Sequence, residues 1–218
     1  MPRTSVTDPP PRRRRLTAAE RRARILDAAS RLFAEEGFGG ASIERIAQGA
    51  GVSAPVVYDH FPSKHELFVA VMESARDELT ARGAQVMSAD APAEARIRAG
   101  IDAFFTYVED QPAAARVLLV THRGTPELNK AARLVQAEAR VRMTALLAGE
   151  PELLPGAPDR DRRLELFAEF LMQGMHGLAE WWAEHADVPR KVLVDSVMDV
   201  AWVGLRGNFR PEPSVAGS

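Results

Sequence analysis

The chain has no cysteine, which excludes disulfides, thiolate nucleophiles and thiolate metal sites. No stretch approaches the roughly 18 uninterrupted apolar residues that a membrane span needs. The basic N-terminus runs into Thr17-Ala-Ala-Glu-Arg-Arg without the apolar stretch of a secretory signal. A cytoplasmic protein with no membrane partner is expected. No segment shows the β-branched alternation of a strand over more than a few residues, and no repeat period is evident. The five histidines, at 60, 65, 122, 176 and 185, show no HExxH or other metal spacing. A Gly-rich phosphate loop and a nucleophile elbow are also lacking. No catalytic residue, metal or cofactor is therefore expected, and Glu35-Glu36 reads as a solvated helix end.

What remains is an ordinary globular composition, 46% hydrophobic and 27% charged over 218 residues, enough to bury a core without staples. The net charge of −2 hides an asymmetry. Residues 1–64 carry 11 Lys and Arg against 7 Asp and Glu, whereas residues 65–218 carry 17 against 23. A basic end on an acidic body suggests a polyanionic partner for that end alone.

The helical signals run throughout. Thr17-Ala-Ala-Glu20 is a capping box; Ile25, Ala29, Leu32 and Phe33 form the apolar stripe behind it, and Gly37 supplies a stop. Two short helices are expected at 43–50 and 54–60. Ser63-Lys64-His65-Glu66 is a second capping box, opening a longer helix. After a break at 88–92, further helices are expected at about 92–110, 113–121, 126–148, 160–186 and 189–207, with a Pro/Gly-rich loop at 149–158. The fold class that follows is all-α, with about nine helices. It divides into a disordered basic arm (1–15), a small helical domain (16–63), a larger one (64–210) and a disordered tail (211–218).

The segment Ser42-Ile-Glu-Arg-Ile-Ala-Gln-Gly-Ala-Gly-Val-Ser-Ala-Pro-Val-Val-Tyr-Asp-His-Phe61 reads as a helix-turn-helix. Ser42 caps its first helix, and Ile43 and Ile46 face the core. Ala47 sits at the crossing, where a larger side chain would force the helices apart. Gly51 falls at the turn, where positive φ suits glycine. Val52 plugs the turn, Ser53 caps the second helix, Pro55 occupies its first turn, and Val57 closes the core. Such a helix pair with a basic neighbour points to double-stranded DNA. A helical module that binds protein through the same motif is the alternative.

The leading helix, Gly37-Phe-Gly-Gly-Ala-Ser42, Ile46-Ala47, Ala50-Gly51-Val52-Ser53, Val57-Tyr58, His60-Phe61 and Ser63-Lys64-His65-Glu66-Leu67 together resemble the DNA-binding domain of the tetracycline-repressor (TetR) family, over about residues 18–70. The resemblance implies a homodimer on a palindromic operator, a larger C-terminal domain with a small-molecule pocket, and a repressor released by that effector; an activator is the alternative. It implies that Ser42 meets phosphate, that Ser53, Ala54, Pro55 and Val56 meet bases or phosphates, and that Tyr58, His60 and Lys64 contact the backbone. The recognition helix has no Arg, Lys, Asn or Gln, so readout would rest on thymine methyls and DNA shape. Arg12, Arg13, Arg14 and Arg15 are either an arm along phosphates or a minor groove, or a solvated tail.

In the larger part, Phe104, Phe105, Tyr107, Leu118, His122, Met143, Phe170, Gln173 and His176 are the candidate lining of an apolar cavity with a few polar points. Each can also be an ordinary packing residue. Leu164, Phe167, Leu171, Met175, Leu178 and Trp182 recur along one helix face. On the last helix Leu193, Val197 and Val200 mark one face, and Val194, Met198 and Trp202 another. A helix apolar on two faces must be covered on both. A dimer interface containing Leu178, Trp182, Val194, Met198 and Trp202 is expected.

Overall fold

A computed structural model describes residues 16–119, 126–151, 153–154 and 156–203. Among these residues there are nine α-helices and no strand. The first is α1, Ala18–Gly40. Thr17 Oγ1 accepts from the Glu20 amide at 3.1 Å, and Glu20 Oε2 accepts from the Thr17 amide at 2.7 Å, closing the capping box. Gly37, at φ 69° and ψ 176°, kinks this helix near its end.

Then come α2 (Ile43–Ala50), α3 (Ala54–His60) and the long α4 (Lys64–Met87). The turn between α2 and α3 depends on Gly51, whose φ of 68° and ψ of 34° lie in the left-handed region. That conformation lets the Gly51 and Val52 amides reach back to the Gln48 and Ala47 carbonyls at 3.1 and 3.0 Å. Two capping expectations need correction. Ser63 accepts from the Glu66 amide, but only the α1 cap has both arms of a box. Ser53 occupies the cap position of α3 without a side-chain bond. Pro55, at the second helical position, has no N–H to offer it.

The remaining helices are α5 (Ala93–Asp110), α6 (Pro112–Leu119), α7 (Pro126–Ala148), α8 (Arg160–Glu184) and α9 (Arg190–Met198), which runs into a π-turn over Asp199–Val203. Arg160, at the start of α8, holds the end of α7 and the residues just after it. Its guanidinium donates to the carbonyls of Ala148, Glu150 and Leu153, satisfying acceptors at the end of α7.

Two hydrophobic clusters organise the chain. One gathers α1–α4, including Ile25, Phe33, Ile46, Val57, Leu67 and Val71, and draws in Tyr107, Ala115, Val117 and Leu118 from α5 and α6. The other gathers α5, α8 and α9 around Phe105, Leu164, Met175, Leu193 and Trp202. Leu79 of α4 packs against both. No helix among the described residues is long and apolar enough to cross a membrane.

Candidate DNA-reading and effector sites

The helix-turn-helix is built as a small core with an exposed edge. Ile46 and Val57 are fully buried, Ala47 nearly so, and Val52 packs partly against them. Ser53, Pro55 and Tyr58 are exposed at the opposite edge, Tyr58 by 49%, while Ala54, Val56 and His60 are half-buried. Ser42 Oγ accepts from the Arg45 amide at 3.3 Å, which leaves its own O–H free to donate to an anion. Arg45 is ion-paired with Glu36 on α1.

Lys64 is placed differently from expectation. Its Nζ lies 2.9 Å from both the Phe38 and Ala41 carbonyl oxygens and 4.5 Å from the Phe38 ring centre. The end of α1 presents unpaired carbonyls, and an ammonium is their natural partner. Two of its three donors are thus spent inside the protein instead of on a phosphate. Arg12, Arg13, Arg14 and Arg15 lie outside the described residues.

The second site is a cavity among α4, α5, α7 and α8, with about 1010 Å³ of empty space including its open mouth. Its walls are mainly aliphatic and thioether: Leu79 and Met87 from α4, Ile97, Ile101 and Phe104 from α5, Met143, Leu146 and Leu147 from α7, Leu171, Met172 and Met175 from α8. Leu118 of α6 also reaches it. The polar points are Arg76, Thr80, Gln136, Arg142 and His176.

Arg76 is only 7% exposed and pairs with Asp77 at 2.9 Å and with Glu138 of α7. Arg142 returns the pairing to Asp77 at 2.8 Å. The hydrogen bond from Arg142, more than that from Arg76, holds the Asp77 carboxyl below the usual carboxylate range. The two helices are therefore cross-linked by charge along one wall. His176 stacks on Phe104, ring centres 6.2 Å apart, and burial pushes its pKa down, favouring the neutral imidazole.

Phe104, Leu118, Met143 and His176 lie on this cavity, but four other candidates do not. Phe105 and Tyr107 are fully buried in core packing, Phe105 edge-on to Trp182 and Tyr107 under the Arg82 guanidinium. Burial raises the Tyr107 phenol well above its ordinary pKa, and its hydroxyl has no hydrogen-bond partner among the described residues. Phe170 is 61% exposed, on the outer side of α8. Gln173 lines a neighbouring cleft and donates to Glu169. His122 lies outside the described residues. The α4 contribution escaped sequence reading, although Arg76, Leu79, Thr80, Gly83 and Met87 recur at three- and four-residue steps and the signal was present.

The expected dimer residues need the same correction. Trp182, Val194, Met198 and Trp202 are buried within their own chain and Leu178 is half-buried. Leu193, Val194, Val197 and Met198 of α9 are covered internally, chiefly against α5, in a cluster that also contains α8 residues. Trp182 Nε1 donates to the Val188 carbonyl at 2.8 Å. What α8 leaves exposed is Leu166, Phe170 and Trp181; α9 leaves Val192, and the π-turn after it leaves Val200.

Family models agree with this architecture. "Bacterial regulatory proteins, tetR family" matches residues 25–71, and "Tetracyclin repressor-like, C-terminal domain" matches residues 93–204. The chain belongs to the tetR family. Among its relatives, the transcriptional activator FasR of Mycolicibacterium smegmatis is 30% identical, over 88% of this chain and 85% of FasR. The regulator EthR of the same organism is 33% identical over 67% of this chain and 68% of EthR. Among solved structures, the fatty acid degradation regulator FadR of Bacillus halodurans superposes with a TM-score of 0.74 at 20% identity, covering 85% of this chain and 96% of that one. FadR of Bacillus subtilis in complex with stearoyl-CoA gives 0.71 at 18% identity, covering 82% and 96%. These two likenesses establish the fold alone. As a tetR-family member the chain is a DNA-binding transcriptional regulator.

Proposed function

We propose that the chain represses transcription as a homodimer on a palindromic operator and is released when a small, largely apolar effector fills the α4–α8 cavity. One observation carries the reading. The single helix α4 holds the DNA-reading part through Leu67, Phe68 and Val71 and forms a cavity wall with Leu79, Thr80, Gly83 and Met87. A helix of this length, roughly 36 Å, cannot be displaced at one end without moving the other. Leu118 of α6 supports the coupling, since it lines the cavity and packs in the cluster that contains α1.

In this reading residues 16–63 dock on DNA and residues 64–210 bind effector and partner. Ser42, Ser53, Ala54, Pro55, Val56, Tyr58 and His60 face the duplex. The partner subunit covers the exposed stripe Leu166, Phe170 and Trp181 of α8. Gly174 and Gly177 lie exposed within that stripe and allow close helix approach. Val192 of α9 and Val200 of the π-turn after it extend it. An acyl chain suits the aliphatic cavity walls. The relative FasR favours a second reading, activation from the same operator.

Fragments selected from genomic DNA by the full chain, then footprinted, test both readings. Two protected half-sites about 10 bp or a multiple apart, overlapping a promoter, support repression. Protection wholly upstream of the promoter supports activation. Absence of any sequence-selective protection overturns both.

A further inference from the structure

The outer face of α3 carries a single formal charge, and it is a carboxylate. At about 100° per residue, Pro55 and Asp59 each lie about 160° from Val57 around the helix. Val57 is fully buried, so the two straddle the line that points directly away from the core. Tyr58 and Val56 stand at about 100° on either flank. The exposure pattern agrees, with Pro55, Tyr58 and Asp59 exposed and Val56 half-buried. Among the described residues the Asp59 carboxylate has neither an ion-pair nor a hydrogen-bond partner. It also occupies the last turn of α3, where the helix dipole is negative and an acid is disfavoured. No contact among the described residues offsets this placement.

Resting on the reading of α3 as the helix that enters the major groove, we propose that Asp59 selects the operator by accepting a hydrogen bond from the exocyclic amino group of a cytosine. An ionised carboxylate only accepts hydrogen bonds, so phosphates repel it, as do the acceptor atoms of guanine and thymine. Two groups in the major groove can donate to it, the N4 amino group of cytosine and the N6 amino group of adenine. In adenine the donor stands beside the N7 acceptor, which the second carboxylate oxygen would meet; cytosine presents its donor alone. Cytosine is therefore the base this side chain favours. Pro55 lies one turn back, roughly 6 Å along the axis, which is under two base steps of about 3.4 Å. Its ring offers no donor or acceptor and suits a thymine methyl. A half-site with a cytosine and a thymine within about two base pairs of each other follows. Asp59 thus gives direct base readout to a helix without Arg, Lys, Asn or Gln.

Selection from a random duplex library by the full chain, and by its variants Asp59→Asn and Asp59→Ala, tests the assignment. The wild type is expected to require cytosine at one position of each half-site, with affinity falling about tenfold when that C·G pair is changed. Asparagine pairs with adenine through N6 and N7. Asp59→Asn is therefore expected to switch the preference at that position alone from cytosine to adenine. Asp59→Ala is expected to bind all four bases there within about twofold of one another. Asp90→Asn, an equal change of charge in the exposed turn between α4 and α5, is expected to select the wild-type sequence. An unchanged base preference in Asp59→Asn, whatever its overall affinity, overturns the proposal. So does a wild-type half-site with no required cytosine. If the wild type selects no sequence at all, the reading of α3 as the groove helix falls and this proposal with it.

Discussion

The ammonium of Lys64, in the first turn of α4, lies 2.9 Å from the carbonyl oxygen of Ala41, at the joint between α1 and α2. The helix that walls the cavity is thus fastened to the DNA-reading part at its very first residue. Lys64→Met, which keeps the aliphatic stem, is expected to destabilise the fold by about 1–3 kcal/mol through the carbonyls left unpaired. A phosphate contact would contribute about 0.9 to the slope of log affinity against log salt. Denaturant melts should show the stability loss, and DNA titrations at several salt concentrations should show an unchanged slope.

Gly51 makes the turn between α2 and α3 with positive φ, and a Cβ there would meet nothing within 4 Å. The cost of Gly51→Ala is therefore conformational alone, about 1–2 kcal/mol. Gly51→Asn should cost less, because asparagine tolerates the left-handed region better. Equal midpoints for glycine and alanine in urea melts would refute this.

Much of this frame is legible in the sequence. The capping box at Thr17, the turn at Gly51 and the buried Ile46, Ala47 and Val57 are local rules in which spacing dictates geometry. Long-range placement is not legible in the same way. Phe105 and Phe104 are neighbours in sequence, yet one fills the core and the other faces the cavity; a pattern of apolar residues cannot distinguish a wall from a filling. Lys64 reads as a surface cation until the fold brings Phe38 and Ala41 beside it. On α9, two apolar faces suggested a subunit interface, whereas Leu193, Val194, Val197 and Met198 pack within their own chain, chiefly against α5.

That last difference separates two classes of substitution. Trp181→Glu or Phe170→Glu, on the exposed face of α8, is expected to yield folded monomers, seen as a halved mass by light scattering with an unchanged helical spectrum. Trp182→Ala, one residue away but buried against Phe105, is expected to cost about 3–5 kcal/mol. A Trp181→Glu protein that remains dimeric would place the subunit contact elsewhere.

His176 is held neutral by burial, so its folded pKa lies below the unfolded value near 6.5. The unfolded chain then binds the proton first, and stability falls as pH drops below about 6.5, until the folded imidazole also titrates. His176→Gln is expected to flatten this part of the stability–pH curve, just below about pH 6.5. Parallel curves for the two proteins would show that other groups cause the acid loss.

The coupling of cavity to DNA is tested most directly by filling the cavity without a ligand. Gly100 lies on the α5 wall, and a Cβ there makes only an ordinary contact, 3.7 Å from Met87 Sδ. Gly100→Leu places a branched side chain in that space, and its affinity for the footprinted operator is the measurement. The account predicts an affinity lowered about tenfold, within the usual range of allosteric coupling, in a protein that still melts cooperatively. An operator affinity equal to that of the wild type, in a folded variant whose cavity no longer takes up dodecanol, would contradict it.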